Sequence, residues 1–324
     1  MAQRTPNPLV SIVFVNCNGK ELLKKAIKSV SSGKNCEILV VDNASTDGSQ
    51  QMLEKEFPKV KLIQNKENLG YTGINTALPY CKGKYLLFLN NDLEMKKGAI
   101  PQLTAVLEND KDVALVVPKL VNFYDRKVDS AGTWVSHSFY NGHYRADTIE
   151  NSPKEIPYMG IGLIRVDVIK KFGYLFDLDY FIYAEDLDLG LRIRLLGMKT
   201  LYIPTATSYH HHSQTMKNVP DAKKTFLMER NLLTTFLKLP SFHNIVCYAP
   251  YVLVMRAVII IKDVITLRFS VAASRIKAIG AVLISLPSIL KKRKIIQKLR
   301  KAPDSYVFSI FTEKHLFSGK RLTI

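Results

Sequence analysis

Three clusters of residues carry side chains able to do chemistry. The first closes Lys84–Asp92, where the apolar run Tyr85 to Leu89 breaks abruptly into Asn90, Asn91 and Asp92. A carboxylate at such a break can hold a hard cation and, through it, a phosphate. The plainer account is a polar turn, since Asn and Asp are ordinary turn residues. The second cluster is Glu185, Asp186 and Asp188, following Tyr180-Phe-Ile-Tyr-Ala. Carboxylates serve as general acids and bases, but they are also favoured in a first helical turn by the helix dipole. The third is His210-His211-His212. One imidazole there could join a carboxylate on a metal; three surface histidines without a role is the plain alternative.

These clusters need elements to carry them. Five consecutive apolar residues read as a strand buried on both faces, and in open α/β sheets ligands lie beyond the carboxyl ends of the strands. Leu9–Val15 reads as the first strand, ending at the turn Asn16-Cys17-Asn18-Gly19. Leu22, Leu23, Ala26, Ile27 and Val30 then share one helix face, which Gly33 closes. Glu37–Val41 is a second strand ending at Asp42. Asn43 to Gly48 gives a turn and a helix start rich in capping residues, and the helix runs to about Phe57. Val60–Ile63 is a third strand, and the polar loop Asn65–Gly73 leads into a helix through Asn75 to Tyr80. Alternation at this pitch predicts a parallel sheet with helices on both faces. Neither G-x-G-x-x-G after the first strand nor G-x-x-x-x-G-K-[ST] occurs, which disfavours a nicotinamide dehydrogenase and excludes a P-loop protein.

Further on, Pro101–Glu108 is read as a helix and Val113–Pro118 as a strand. Residues 121–157 are irregular, with aromatics among polar residues, a composition suited to a substrate-facing surface. Leu163–Val166 precedes a short helix. Glu185 opens a helix with Leu189, Ile193 and Leu196 on one face, ended by Gly197. Leu201–Ile203 and Thr207–Tyr209 are two short strands, the second ending at the histidines.

The 324 residues suffice for one large domain or two ordinary ones, and 47% hydrophobic with 23% charged is a globular composition. The formal charge of +18 is uneven: from Lys238 onward there are 16 Lys and Arg against 3 Asp and Glu. Such asymmetry points the C-terminal segment at an anionic surface. Cys17, Cys36, Cys81 and Cys247 lack metal-type spacing, so free buried thiols in a reducing compartment are expected. Met1 to Pro8 carries no apolar signal region, so export is not expected.

After Pro240 the character changes. Ile245–Ile261 is apolar but interrupted by Arg256, and Val271–Leu290 by Arg275, Lys277 and Pro287. A central charge is costly in lipid, so these stretches read as helices lying in the membrane interface, with two spanning helices as the alternative. The cluster Lys291-Lys-Arg-Lys294 suits anionic head groups.

The chain from about Val10 to Leu239 resembles the family-two glycosyltransferases of the GT-A fold, near their rhamnosyltransferase-like branch. The motifs that carry this are Val-Ser-Ile-Val-Phe-Val-Asn-Cys-Asn-Gly (10–19), Val-Val-Asp-Asn-Ala-Ser-Thr-Asp-Gly (40–48), Asn-Leu-Gly (68–70), Leu-Asn-Asn-Asp (89–92), Tyr-Ala-Glu-Asp-Leu-Asp-Leu (183–189), Tyr-His (209–210) and Arg230-Asn231. The resemblance implies an α/β fold with a mainly parallel central sheet and flanking helices. Residues 1–239 would form the catalytic domain and 240–324 a helical membrane-associating region. It implies inverting transfer from a nucleotide-diphosphate sugar (dTDP- or UDP-linked, dTDP-rhamnose among them) to a lipid-linked or cell-surface glycan. The work would be done at the cytoplasmic face of the membrane, with no nucleic acid involved.

The donor site it implies comprises Asn16, Asp42, Asn43, Asn68, Gly70, Asn75, Asn90, Asn91 and Asp92. The first strand and Asp42 would cradle the base, a carboxylate being suited to the imide N–H of uracil or thymine. Asn91 and Asp92 occupy the family's acidic metal motif, with Asp92 on Mn²⁺ or Mg²⁺. Asn90 stands at the first position in place of Asp, so His210 is expected to add a ligand, and imidazole suits Mn²⁺ somewhat better. Asp186 matches the catalytic base and Glu185 would orient it or the acceptor. Cys17 departs from the Tyr usual there. Two other classes compete. A sugar nucleotidyltransferase would want a glycine-rich basic loop after the first strand, which Asn16–Lys20 matches poorly. A basic nucleic-acid-binding protein would want aromatic stacking platforms where this tail has aliphatic runs.

Overall fold

The computed structural model describes residues 8–33, 35–144, 152–212 and 220–313. In chain order, β1 (Val10–Asn16), α1 (Lys20–Val30), β2 (Cys36–Asn43), α2 (Ser49–Glu56) and β3 (Lys61–Asn65) alternate, and a 3₁₀ helix, Gly70–Tyr80, leads to β4 (Tyr85–Asn90). β1 lies between β2 and β4, parallel to both, and β3 joins β2 in parallel. The register sets Asn16 beside Asp42 and Val15 beside Asn90, so the polar residues ending these strands collect at one edge. All seven residues of β1 are buried, as a strand covered on both faces requires.

The second half departs from simple alternation. β5 (Leu93–Met95) follows the Asn91-Asp92 turn, then come α3 (Ala99–Asn109) and β6 (Val113–Asn122), longer than its sequence pattern suggested. The stretch expected to be irregular contains β7 (Val128–Ser130), β8 (Thr133–Val135), β9 (Asn141–His143) and β10 (Lys154–Glu155), short strands with no clear period of their own; residues 145–151 lie outside the described part. β11 (Gly162–Arg165) runs antiparallel between β4 and β6, followed by α4 (Val166–Phe172) and α5 (Glu185–Leu195). Instead of two short strands there is one, β12 (Lys199–His210), parallel to β6 with its register shifted between Ile203 and Thr207. Pro204 lies in this interval, and a proline lacks the ladder donor, which explains the break in the sequence pattern. The sheet runs β3-β2-β1-β4-β11-β6-β12-β10, with β5 on β12 and β7 on β6.

α6 (Asp221–Lys238) carries the chain to α7 (Phe242–Ile265), α8 (Phe269–Ile284), α9 (Leu286–Leu299) and α10 (Asp304–Phe308). These helices share a core with the catalytic half: Val252, Ile259, Val282, Ile289 and Ile296 pack in one cluster with Phe139, Tyr158, Leu187 and Leu191. Arg256 and Arg275, the interruptions of the two apolar stretches, are buried. Arg256 donates to the Ser138 carbonyl, and Arg275 pairs with Glu229 and with Asp263. The charges therefore face the protein, while Phe242, Leu253, Val254, Val258, Ile261 and Ile265 of α7 are exposed. α7 is long and apolar enough to cross a membrane, and α8 with α9 would qualify only as a pair bent by 65°. Within the basic cluster, Lys292 pairs with Asp177 and Asp179 and Arg293 donates to the Leu237, Lys238 and Pro240 carbonyls, leaving Lys291 and Lys294 turned outward. All four cysteines are free; Cys247 is exposed and the other three half-buried, so the expectation of buried thiols holds only in part.

Candidate active site

The edge formed by β2, β1 and β4 is tied by amides. Asn91 Nδ2 donates to Asn16 Oδ1 (2.7 Å), and Asn16 Nδ2 donates to Asp42 Oδ1 (3.0 Å) and to Ser45 Oγ (3.1 Å). Asp42 is fully buried and also accepts from the Ser45 N–H and from Gln50 Nε2. Its carboxylate thus supports the rim from beneath. Gly19 leaves room for these amides, because a Cβ on it would lie 2.0 Å from Asn91 Nδ2 and push that side chain off Asn16. Asn43 joins the next loop, donating to Asn68 Oδ1 and to the Gly70 carbonyl. Asn75 is committed elsewhere. Its amide donates to the Thr72 and Phe176 carbonyls and accepts from the Leu175 N–H, bracing the segment before α5.

A second edge is made by β12. Its antiparallel pairing with β5 sets His210 opposite Leu93, and the His211 N–H donates to the Asp92 carbonyl (3.0 Å), which draws strand end and turn together. Asp92 Oδ2 then lies 3.3 Å from His210 Nε2. Neighbouring ligands of an ion with bonds near 2.1 Å are about 3 Å apart, so this carboxylate and imidazole suit one divalent ion. The other ring nitrogen, Nδ1, is 3.3 Å from Asp129 Oδ2 on β7. Burial pulls the His210 pKa down, but the bonds and charges of Asp129 and Asp92 outweigh it and hold it at about 9. Along a strand alternate side chains face opposite ways. His211 accordingly turns aside, 2.5 Å from Glu94 Oε1 and stacked on Phe123. His212 returns, 2.7 Å from Asp129 Oδ2.

The third group opens α5. Asp186 is half-buried and accepts from the Leu187 N–H, and Glu185 is buried with Oε2 lacking a partner among the described residues. Burial raises Asp186 to about 6 and, with the charge of Asp186, pushes Glu185 well above its ordinary value. A negative charge on either carboxyl disfavours ionisation of the other, so the two shed their protons in separate steps. Asp188 is different. It is fully buried between Arg192 and Lys238, at 2.7 Å from each, so its role is to hold α5 in place. Gly160 leaves room beside the base, for a Cβ there would be 3.3 Å from Asp186 Oδ2.

The loop before α5 is held in costly conformations. Phe181, Tyr183 and Ala184 have φ of 63°, 72° and 58°, and such residues persist only when their surroundings enforce them. Asn231 supplies much of that: its Nδ2 reaches the carbonyls of Tyr180 (3.0 Å), Ile182 (3.0 Å) and Tyr183 (2.7 Å). Arg230 donates to the Asp179 and Tyr180 carbonyls. From the other side the Tyr71 N–H donates to the Phe181 carbonyl, and Gly70 leaves space, since a Cβ would lie 2.2 Å from that oxygen. Tyr71 also donates from its hydroxyl to the Gly160 carbonyl (2.8 Å). Burial pushes its phenol far up, aided by the charges of Glu185, Asp186 and Asp92. Sequence reasoning missed Asp129, Tyr71 and Gly160. Asp129 sits in a stretch without periodicity, and nothing local signals what Tyr71 or Gly160 faces.

A parallel-rich sheet with a metal-capable carboxylate at one strand end and a raised-pKa carboxylate at a nearby helix start defines a GT-A glycosyltransferase. Residues 11–173 match the family Glycosyl transferase family 2, and the chain belongs to it. It is 24% identical to the N-acetylglucosaminyl-diphospho-decaprenol L-rhamnosyltransferase of Mycobacterium tuberculosis (strain ATCC 25618 / H37Rv), over 76% of this chain and 88% of that one. It is 25% identical to Rhamnosyltransferase WbbL of Escherichia coli (strain K12), over 63% and 84%. Among solved structures, GalNAc-T7 with UDP, GalNAc and Mn²⁺ superposes with a TM-score of 0.59 at 16% identity, over 72% of this chain; the chain spans about half (48%) of that one. S. aureus TarS 1–349 gives 0.55 at 16% identity, over 92% and 90%. These structures share the fold.

Proposed function

We propose that this glycosyltransferase moves a sugar, with rhamnose the first candidate, from a dTDP- or UDP-linked donor to a lipid-linked glycan at the cytoplasmic face of a membrane, inverting the anomeric centre. The observation that carries this reading is the meeting of Asp92 and His210, 3.3 Å apart at the end of the sheet, in a fold that also opens α5 on the raised carboxyl of Asp186. Asp186 takes the proton of the acceptor hydroxyl as that oxygen bonds to the anomeric carbon and the bond from that carbon to the diphosphate breaks. Glu185, protonated, orients the acceptor or Asp186. Asp92 and His210 would hold Mn²⁺ or Mg²⁺, whose charge offsets that building on the leaving diphosphate. Asn16, Asn43, Asn68, Asn90 and Asn91 line the nucleotide side, with Asp42 beneath them.

The membrane part of the proposal rests on α7. Val252, Arg256, Ile259 and Asp263 form its buried stripe over the C-terminal half, Ile245, Tyr248 and Ala249 are partly buried against the same core before it, and the opposite side is aliphatic and exposed. A helix packed lengthwise on the catalytic body lies along the bilayer surface rather than through it. Lys291 and Lys294 add attraction to anionic lipid of about 1 kcal/mol each. Relatives whose names specify diphospho-decaprenol or diphosphoundecaprenol acceptors support a lipid-linked acceptor here.

The test is a screen of full-length protein with dTDP-rhamnose and UDP-sugars against short-chain polyprenyl-diphosphate glycans, with Mn²⁺ and after chelation. Transfer that needs the metal and gives the inverted product supports the proposal. Retained anomeric configuration, or nucleotidyl transfer from a sugar phosphate, refutes it. High salt should partly release the protein from anionic vesicles; extraction by detergent alone would mean that the apolar helices span the bilayer.

A further inference from the structure

Asp129 joins the metal corner from a strand that carries no recognisable motif. Its Oδ2 lies 3.3 Å from His210 Nδ1, while His210 Nε2 lies 3.3 Å from Asp92 Oδ2. The imidazole is therefore gripped at both nitrogens by carboxylates from different strands. The same Asp129 oxygen is 2.7 Å from His212 Nε2, and the His210 and His212 rings are 4.0 Å apart. The backbone makes this arrangement. β7 pairs with β6 across the shifted register at Leu120 and Val121, and β6 sets Asn122 beside His210 on β12. Asp129 is thereby delivered to the far side of the His210 ring.

The geometry points to Asp129 as the positioning residue of the metal site: an outer carboxylate that accepts the His210 Nδ1–H, fixes the tautomer with Nε2 free for the ion, and is itself clamped by His212. A metal-bound histidine commonly donates its second N–H to such a carboxylate, and losing that partner lowers metal affinity by about 10–100-fold. The other arrangement these residues allow is a separate ion held by Asp129, His210 and His212 together, whose ligand atoms lie within 4.8 Å of one another. It would require the ion to take His210 Nδ1, leaving Nε2 and Asp92 outside its shell. The inference thus rests on the proposed Asp92–His210 metal site and deepens it.

The test is Mn²⁺ titration of the full-length protein, following the loss of the free-ion paramagnetic resonance signal, with thermal unfolding run alongside. We expect one Mn²⁺ per wild-type chain. Asp129→Ala should weaken it 10–100-fold, and Asp129→Asn, which still accepts the Nδ1–H, should recover most of that loss. His212→Gln should cost less than Asp129→Ala. Equal Mn²⁺ affinity in wild type and Asp129→Ala would overturn this inference and leave the Asp92–His210 reading standing. Two ions per wild-type chain, one of them lost in both Asp129→Ala and His212→Gln, would overturn it in favour of a separate site. No Mn²⁺ bound to the wild type would overturn both. Should Asp129→Ala fail to fold, Asp129→Leu, close in size and unable to accept the Nδ1–H, takes its place in the titration with the same expected and overturning outcomes.

Discussion

Replacing Asn231 by Ala tests whether the loop before α5 is held in a working conformation by one amide. Asn231 Nδ2 has two hydrogens shared among the carbonyls of Tyr180, Ile182 and Tyr183, and the side chain is 1% exposed. Leaving two buried acceptors unpaired costs about 1–3 kcal/mol each. Against that, Phe181, Tyr183 and Ala184 each store about 1–3 kcal/mol in their left-handed backbone, released if the loop relaxes. The two quantities are of similar size, so the loop should rearrange rather than stay in place with broken bonds. The net loss of global stability should then be modest, about 1–3 kcal/mol. Catalysis should suffer more, because a working loop left about 1.4 kcal/mol above a relaxed one is populated in only about a tenth of the molecules. Asn231→Asp should be worse than Ala, since an acceptor-only carboxylate would face three carbonyls. Urea unfolding supplies the stability change, and steady-state kinetics with donor titration separates turnover from donor affinity. If Asn231→Ala loses about 3 kcal/mol yet turns over normally, the loop geometry does not set the base and the reasoning fails.

Asp186→Asn is expected to lower turnover by about a hundredfold or more with little change in donor affinity, and near-normal turnover would return Asp186 to a helix cap. With Asp186 near 6, wild-type kcat/KM should fall with unit slope below about pH 6, a limb absent from the residual activity of the variant. Glu185→Gln should alter the pH dependence of stability. The folded pKa of Glu185 is raised, so its favourable contribution is complete below the unfolded value and is lost as pH rises, by about 1.4 kcal/mol per unit up to the folded pKa. The variant should lack that decline as pH rises above the ordinary carboxylate range in thermal unfolding (on the order of a few degrees), and parallel curves for the two proteins would contradict it. Asp92→Ala should abolish metal-dependent retention of the donor diphosphate while the protein stays folded, and full activity would remove Asp92 from the site. Ending the chain at Leu239 should uncover Phe139, Leu191, Leu232 and Phe236 and break the bonds from Arg194 to the Tyr306 and Val307 carbonyls. A soluble, donor-binding product would show that the tail is dispensable to the fold.

Much of this protein is local and therefore legible in the chain. β1, β2 and β4 are short apolar runs that stop at polar residues, and the helices between them follow from the spacing of Leu23, Ile27 and Val30 and from breaks at Gly33 and Pro58. The same locality marks Asp92 and Asp186 as carboxylates at element ends. What those residues face was decided only by the tertiary structure. His211 and His212 directly follow His210, yet His211, whose N–H donates to the Asp92 carbonyl, turns against Phe123, while His210 at the end of β12 and His212, with φ of 50°, both face Asp129. Asp129 reaches the site through strand register, and Gly160 through the bend before β11, long-range placements with no local pattern. Arg256 and Arg275 interrupt apolar stretches in the sequence, but buried partners, Ser138 and Glu229 and Asp263, turn them inward and leave an aliphatic outer face. Hydropathy counts which residues a helix contains. Which way each one points depends on what lies beside the helix, and that is settled only when the chain has folded.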